Sequence, residues 1–370
     1  MKVPFVDLWP QSEQVLTSVM QQIESVIRDS DFILGSRVEK FEKDLGRYLG
    51  IEHVIGVANG GDAIEIALRC LELPLGSEVL MPVNTFTATA MATIRAGLTP
   101  VFVDVENGTY QMDVEAAARS VTSQTRVVMP VHLYGQIGNM KGVLDFAVKH
   151  DLQVIEDAAQ SHGATHFGRQ MGSFGAITAT SFYPGKNLGA FGDAGAVLTT
   201  DPVLADRAKR IRNYGGIEKY EHEFFGVNSR LDPIQAVVLR EKLKGLPSWT
   251  NQRRTIAAAY LEGLKGCPGV NLPALVPGSE HVWHLFVVQV PNREHVRAEL
   301  LVRGIQTGIH YPQPLHRQNA FATLPTSGAR YPNADEHADR LLSLPIFPGM
   351  RQEQCEYVVK TLQEIISSIS

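Results

Sequence analysis

Six short, almost unbroken apolar runs mark the first 200 positions: EVLMPV (78–83), PVFVDV (100–105), RVVMPVHLYG (126–135), LQVIEDAA (152–159), AITATSFY (176–183) and GAVLTT (195–200). They are rich in Val and Ile and do not alternate apolar with polar. Strands covered on both faces of a mostly parallel sheet have this texture. Amphipathic stretches separate them. DAIEIALRCLEL (62–73) sets Ala63, Ala67, Leu68 and Leu71 on one helical side, and NMKGVLDFAVKHD (139–151) does the same with Val143, Phe146 and Ala147. The pattern predicts an α/β fold, and such sheets take ligands beyond the carboxyl ends of their strands.

The texture changes near residue 246. LPSWTNQRRTIAAAYLEGL (246–264) reads as a linking helix after a proline break, and the Pro/Gly-rich stretch 268–280 as a loop. A strand is expected over 281–290, a helix over 294–305 and a terminal helix over 352–369. Two domains follow: a large α/β unit with an N-terminal arm over 1–245, and a smaller α+β unit over 246–370. A net charge of −5 with no block of Lys and Arg argues against a nucleic-acid partner. Pro4 and Asp7 come before any apolar h-region could form, so no signal peptide is expected; no apolar run approaches the roughly 18 residues a membrane span needs, and Cys70, Cys267 and Cys355 form no ligand or disulfide pattern. A cytoplasmic protein is expected.

One lysine stands out. TSFYPGKNLGAFGDAG (180–195) places Lys186 between an aromatic pair and several glycines. A phosphate-cradling Walker loop would need Gly at 180 and Ser or Thr at 187, where Thr180 and Asn187 stand. No G-x-G or G-x-S-x-G occurs, which removes the dinucleotide fingerprint and the nucleophile elbow. His162 with His166, and His281 with His284, are poorly disposed to hold a metal. Amine chemistry remains: a lysine stripped of water loses basicity and gains nucleophilicity, and it can form a Schiff base with the aldehyde of pyridoxal 5′-phosphate. That cofactor needs a carboxylate at its ring nitrogen, an anion site and a flat cover. Asp157, at the end of LQVIED, is the candidate acid, with Glu156 turned to the other face. Gly60, Gly61 and Asp62 open an amphipathic helix and form a candidate phosphate site, to which Ser181 can add a hydroxyl. Phe86 is the candidate cover.

With Gly60-Gly61-Asp62, Phe86, EDAAQSHGA and SFYPGKNLG in this order, the chain resembles the DegT/StrS family of pyridoxal-phosphate-dependent nucleotide-sugar aminotransferases. The resemblance runs from VPFVDL through FILGSRVEKFE to HYPQPLH and LSLPIFP. It implies the aspartate-aminotransferase (type I) fold and a homodimer with shared active sites. It implies Lys186 as the Schiff-base lysine and Asp157 as partner of the ring nitrogen. Gln160 then lies near the ring hydroxyl, Ser181 binds phosphate, and Asn228 reaches the phosphate of the partner's cofactor. Lys219, Tyr220 and Arg253 match positions that contact a diphosphate; His310 and Tyr311 are candidates for the sugar side. One departure is Asn59-Gly60-Gly61, where the family commonly has Ser-Gly-Thr.

The activity implied is a ping-pong transfer of an amino group from L-glutamate, through pyridoxamine 5′-phosphate, to a nucleotide-linked ketosugar. Lys186, where some relatives carry histidine and dehydrate sugars, favours transamination. NSRLD (228–232) resembles enzymes acting on 3-keto sugars, so C3 of a dTDP-linked 3-keto-6-deoxyhexose is expected. A UDP-linked 3-keto sugar or a 4-keto sugar is the alternative, and a non-catalytic regulatory protein that binds the cofactor is an alternative of another class.

Overall fold

The computed structural model describes residues 1–216, 220–326 and 328–369. Its strands are β1 (His53–Val57), β2 (Glu78–Pro82), β3 (Thr99–Val103), β4 (Thr125–Val128), β5 (Gln153–Asp157), β6 (Thr165–His166) and β7 (Arg169–Gln170). Then come β8 (Ile177–Ser181), β9 (Gly195–Thr199), β10 (Ser279–Glu280), β11 (Phe286–Gln289) and β12 (Leu341–Leu344). The helices are α1 (Trp9–Asp29), α2 (Ser36–Leu49), α3 (Gly60–Cys70), α4 (Ala88–Arg95), α5 (Val114–Arg119) and α6 (Met140–His150). They continue with α7 (Pro202–Ile211), α8 (Pro233–Gly263), α9 (Arg293–Val302), α10 (Pro332–Arg340) and α11 (Gln352–Ile369).

Seven strands form the central sheet in the order β1-β9-β8-β5-β4-β2-β3. Its pairs are parallel except those made by β9, which runs against both neighbours. All six expected strands are present. The run at 126–135 is cut short at Val128, because Pro130 and a turn with Tyr134 at φ 62° follow. β1, an edge strand, gave no comparable signal.

Consecutive residues of one strand enter different cores. Leu80, Val128 and Val154 face a layer of α2, α6 and α8; Val79, Met81, Val127 and Ile155 face α3, α4 and α7. Both faces being covered is the physical reason these strands lack alternation. A third core gathers β11, β12, α9 and α11 around Ile256, Ala257 and Tyr260 of α8.

α8 departs from expectation. It is one helix of 31 residues with Pro247 inside it, so residue 245 lies within it and no break precedes 246. A proline inside a helix costs about 3 kcal/mol. Against that, Ala236, Leu239, Leu243 and Leu246 anchor the first half in one core, and Ile256, Ala257 and Tyr260 the second half in another. Each large apolar side chain so buried contributes roughly 1.5–3 kcal/mol, and the packing wins. The strand expected from 281 begins only at Phe286. Before it, the chain folds back so that the His281 ring stacks on Trp283 at 3.8 Å and accepts the Trp283 N–H at 2.8 Å. Among the described residues no helix is long and apolar enough to cross a membrane.

Candidate active site

β5 and β8 are parallel neighbours, with Asp157 opposite Ala179, so Asp157 and Ser181 emerge from adjacent carboxyl ends. The turn after β8 carries Lys186, whose N–H donates to the Tyr183 carbonyl at 2.8 Å. The glycines around it close that turn: a Cβ on Gly189 would lie 2.3 Å from the Pro184 carbonyl oxygen. Of the aromatic pair, Phe182 is core, edge-on to Phe41 at 5.5 Å, whereas Tyr183 is exposed. Lys242 of α8 braces the turn from behind. Its Nζ donates to the Gly189 carbonyl at 2.9 Å and rests 4.5 Å over the Phe191 ring.

Lys186 is partly buried. Burial pushes its ammonium down to about 8, the negative charge of Asp157 acting in the opposite sense. Asp157 is buried, which raises its carboxyl above the ordinary value; donors from Thr89 Oγ1 at 2.9 Å and the Ala159 N–H at 3.2 Å hold the rise in check. Three imidazoles share the surroundings of Lys186. Burial first, and the lysine charge second, brings His162 down to about 3 and His310 to about 4, and puts His284 well below its usual value. At neutral pH they add no cation that would compete with the amine.

Glu156 points to the opposite face, as the strand period requires. It accepts from His132 at 3.0 Å, from Thr178, and from the N–H groups of Gly172, Phe174 and Gly175. It is a structural knot beneath the sheet and does not reach the cleft side.

The glycine-led helix start lies against Ser181. A Cβ on Gly60 would sit 2.5 Å from the Ser181 Cβ and 3.0 Å from its Oγ. Asn59 caps α3 by accepting the Asp62 N–H at 2.9 Å, which leaves Gly60 and Gly61 at the open first turn beside the serine hydroxyl. Asp62 itself is a correction. Its N–H is taken by the cap and its carboxylate pairs with Arg95 at 3.0 Å, so it offers an anion neither a donor nor a charge of the right sign.

Phe86 is 54% exposed, so it is no core aromatic; its ring lies 5.9 Å from Tyr311. Gln160 accepts the Tyr134 N–H at 2.7 Å and donates to Tyr311 Oη at 3.1 Å. Tyr134 Oη donates to the His310 carbonyl, and His310 Nδ1 meets Ser343 Oγ at 2.8 Å. Gln160, His310 and Tyr311 are thus joined in one network through Tyr134, which sequence alone did not single out. Asn187 was missed too: it donates to the Val282 carbonyl at 2.9 Å and meets His284 Nδ1 at 3.3 Å, tying the lysine turn to the 281–285 segment.

Arg253 is a second correction. It is 2% exposed, and its Nη1 donates to the carbonyls of Trp283, His284 and Ile346, within 3.4 Å in each case. Burial brings it down to about 10. Buried and aimed through Nη1 at three carbonyls, it lies away from the surface on which a diphosphate contact was expected. Tyr220, 81% exposed, and Asn228, bridged to Asn213, lie on the surface. Lys219 falls outside the described residues.

An amine of lowered basicity and a buried acid thus follow two adjacent strands, with the glycine-led start of α3 against Ser181 and the exposed Phe86 ring beside Tyr311. The model of the DegT/DnrJ/EryC1/StrS aminotransferase family matches residues 14–363. The chain belongs to this family. It is 42% identical, over 98% of its length and 96% of the relative's, to a dTDP-3-amino-3,4,6-trideoxy-alpha-D-glucose transaminase of Streptomyces venezuelae. It is 43% identical, over 98% of each chain, to a pleiotropic regulatory protein of Geobacillus stearothermophilus. Among solved structures it is similar to that of S. venezuelae DesV in complex with a ketimine intermediate, at 42% identity, a TM-score of 0.95 and 98% coverage of both chains. The chain is therefore an aminotransferase of the DegT/DnrJ/EryC1/StrS type on the fold expected for it.

Proposed function

We propose that the protein uses pyridoxal 5′-phosphate to move an amino group from L-glutamate to C3 of a dTDP-linked 3-keto-6-deoxyhexose. The observation that carries this reading is the meeting of Lys186 and Asp157 beside the Gly60–Ser181 cradle. These residues fit the cofactor. Asp157 would face the ring nitrogen, Gly60, Gly61 and Ser181 the phosphate, Phe86 one face of the ring, and Gln160 its hydroxyl. Bound there, the cofactor supplies an aldehyde that takes up an amino group and a ring that withdraws electrons from the substrate carbon.

The protein's own part is proton management. With a pKa of about 8, roughly a tenth of the Lys186 amine is neutral at pH 7, enough for Nζ to capture the aldehyde and to carry a proton at the substrate carbon. Asp157, whose donors Thr89 Oγ1 and the Ala159 N–H oppose the rise that burial causes, would face the ring nitrogen and hold its proton there. Tyr311 and His310 would line the sugar side, with Tyr220 toward the diphosphate. The choice of dTDP and C3 draws support from the 42% identical transaminase.

The exposed apolar side chains Phe86, Tyr183 and Phe191, and Trp9, Met20 and Ile27 along α1, suit a homodimer, in which Asn228 would serve the partner's phosphate. Free thiols at Cys70, Cys267 and Cys355 suit a reducing cytoplasm.

The regulatory name of the 43% identical relative supports a second reading, cofactor binding without turnover. Glutamate decides between them. Spectral conversion of the bound aldehyde to the amine form is the expected result, lost in Lys186→Ala; a wild-type chain that binds the cofactor without conversion refutes catalysis. A turnover panel of dTDP- and UDP-linked 3-keto and 4-keto sugars then tests the acceptor, and preference for a UDP-linked or 4-keto sugar overturns the assignment.

A further inference from the structure

We infer that Thr89, with Thr85 behind it, is a positioning residue that fixes the Asp157 carboxylate against the ring nitrogen of the cofactor. The inference rests on the reading of Asp157 given above. Thr89 is 1% exposed and lies in the first turn of α4. Its Oγ1 donates to Asp157 Oδ2 at 2.9 Å. A hydroxyl has one proton, so the 3.1 Å contact between the two threonine hydroxyls is donated by Thr85. The result is a one-way chain of hydroxyls, both buried, that ends on the acid.

This is not the usual occupation of a helical threonine. Thr93, one turn on, sends its hydroxyl back to the carbonyl four residues earlier, at 2.9 Å. Thr89 forgoes that bond. Thr89 also donates its N–H to the Phe86 carbonyl at 3.2 Å, so the same turn carries the ring cover and the donor to the acid. The other carboxylate oxygen has the longer bond from the Ala159 N–H. Two donors on two different oxygens define the plane of the carboxylate, and among the described residues Thr89 alone supplies a side-chain donor.

The charged and titratable groups facing Asp157 are Lys186 from the turn after β8, His132 from the segment after β4, and Tyr311. Glu156 lies on the far face, bound to His132. None of these replaces the lost hydrogen bond in a Thr89→Val chain. The carboxyl would then hold its proton to higher pH, and its grip on a protonated ring nitrogen would weaken as pH falls.

The experiment titrates pyridoxal 5′-phosphate into apoprotein by fluorescence quenching at pH 6, 7 and 8, for wild type, Thr89→Val and Thr89→Ser, with melting temperatures of the apo forms alongside. Thr89→Val is expected to bind about tenfold more weakly at pH 8, as for a lost hydrogen bond to a charged group. The gap should widen toward pH 6, and Thr89→Ser should restore wild-type binding to within about twofold. Thr85→Val should show a smaller loss of the same sign, and it serves as the test where Thr89→Val does not fold. Equal dissociation constants at every pH overturn the inference, as does a pH-independent gap that serine does not repair. A wild-type chain that does not bind pyridoxal phosphate at all refutes the functional proposal instead.

Discussion

Two lysines, the partly buried Lys186 and the buried Lys242, are each brought down to about 8 by loss of hydration, yet only Lys186 has an acid facing it. Because only the neutral amine attacks an aldehyde, capture of pyridoxal phosphate by the apoprotein should accelerate from pH 6.5 and level off above about 8, as read by stopped-flow absorbance. A rate flat across this range would show that Lys186 is not the attacking group. Arg253 leads to a different expectation. Arg253→Met leaves three carbonyls without their donor, so it should cost at least about 3 kcal/mol in urea denaturation while leaving the sugar-substrate KM of the folded fraction unchanged. Lys186 and Asp157 were legible in the sequence because their chemistry resides in residue type and strand position. Arg253 was not. In NQRRT, adjacent arginines differ by a 100° rotation about the helix, and which one is interior depends on how α8 meets the third core.

At the scale of elements, α3 and β8 meet closely in the site. Gly60→Ala would force a methyl to within 2.5 Å of Ser181, displacing the helix start from the strand end. The expected outcome is at least a tenfold loss of cofactor affinity by equilibrium dialysis, together with a lower melting temperature of the apoprotein, because the clash is with a strand residue and not with a flexible side-chain end. The helix itself was readable from its apolar stripe, but the fate of Asp62 was not, since its partner Arg95 comes from another helix 33 positions away. The same limit applies to Tyr134, which enters the site through a left-handed turn that no motif announces. Strands 281–290 and 126–135 were each overextended for one reason: apolar runs report burial, and buried irregular segments look the same.

For the whole molecule, histidines set the response to acid. His162 and His281 lie at about 3 and His310 at about 4, all below their unfolded value near 6.5. Between those limits the unfolded chain binds protons that the folded chain refuses, so stability falls as pH drops from 6.5 toward 4. Each group contributes up to about 1.4 kcal/mol per pH unit, with Asp157 working in the opposite direction. Urea midpoints at pH 7, 6 and 5 should descend accordingly; a constant midpoint would show these rings to be solvated. α8 governs how that unfolding proceeds. One rod supplies walls to two separate interiors, and each borrows side chains from across residue 245, Leu246 and Val282 for the first core and Val3 for the third. Severing the polypeptide there should yield halves that are soluble only as a recombined pair, and calorimetry of the uncut apoprotein should trace a single endotherm.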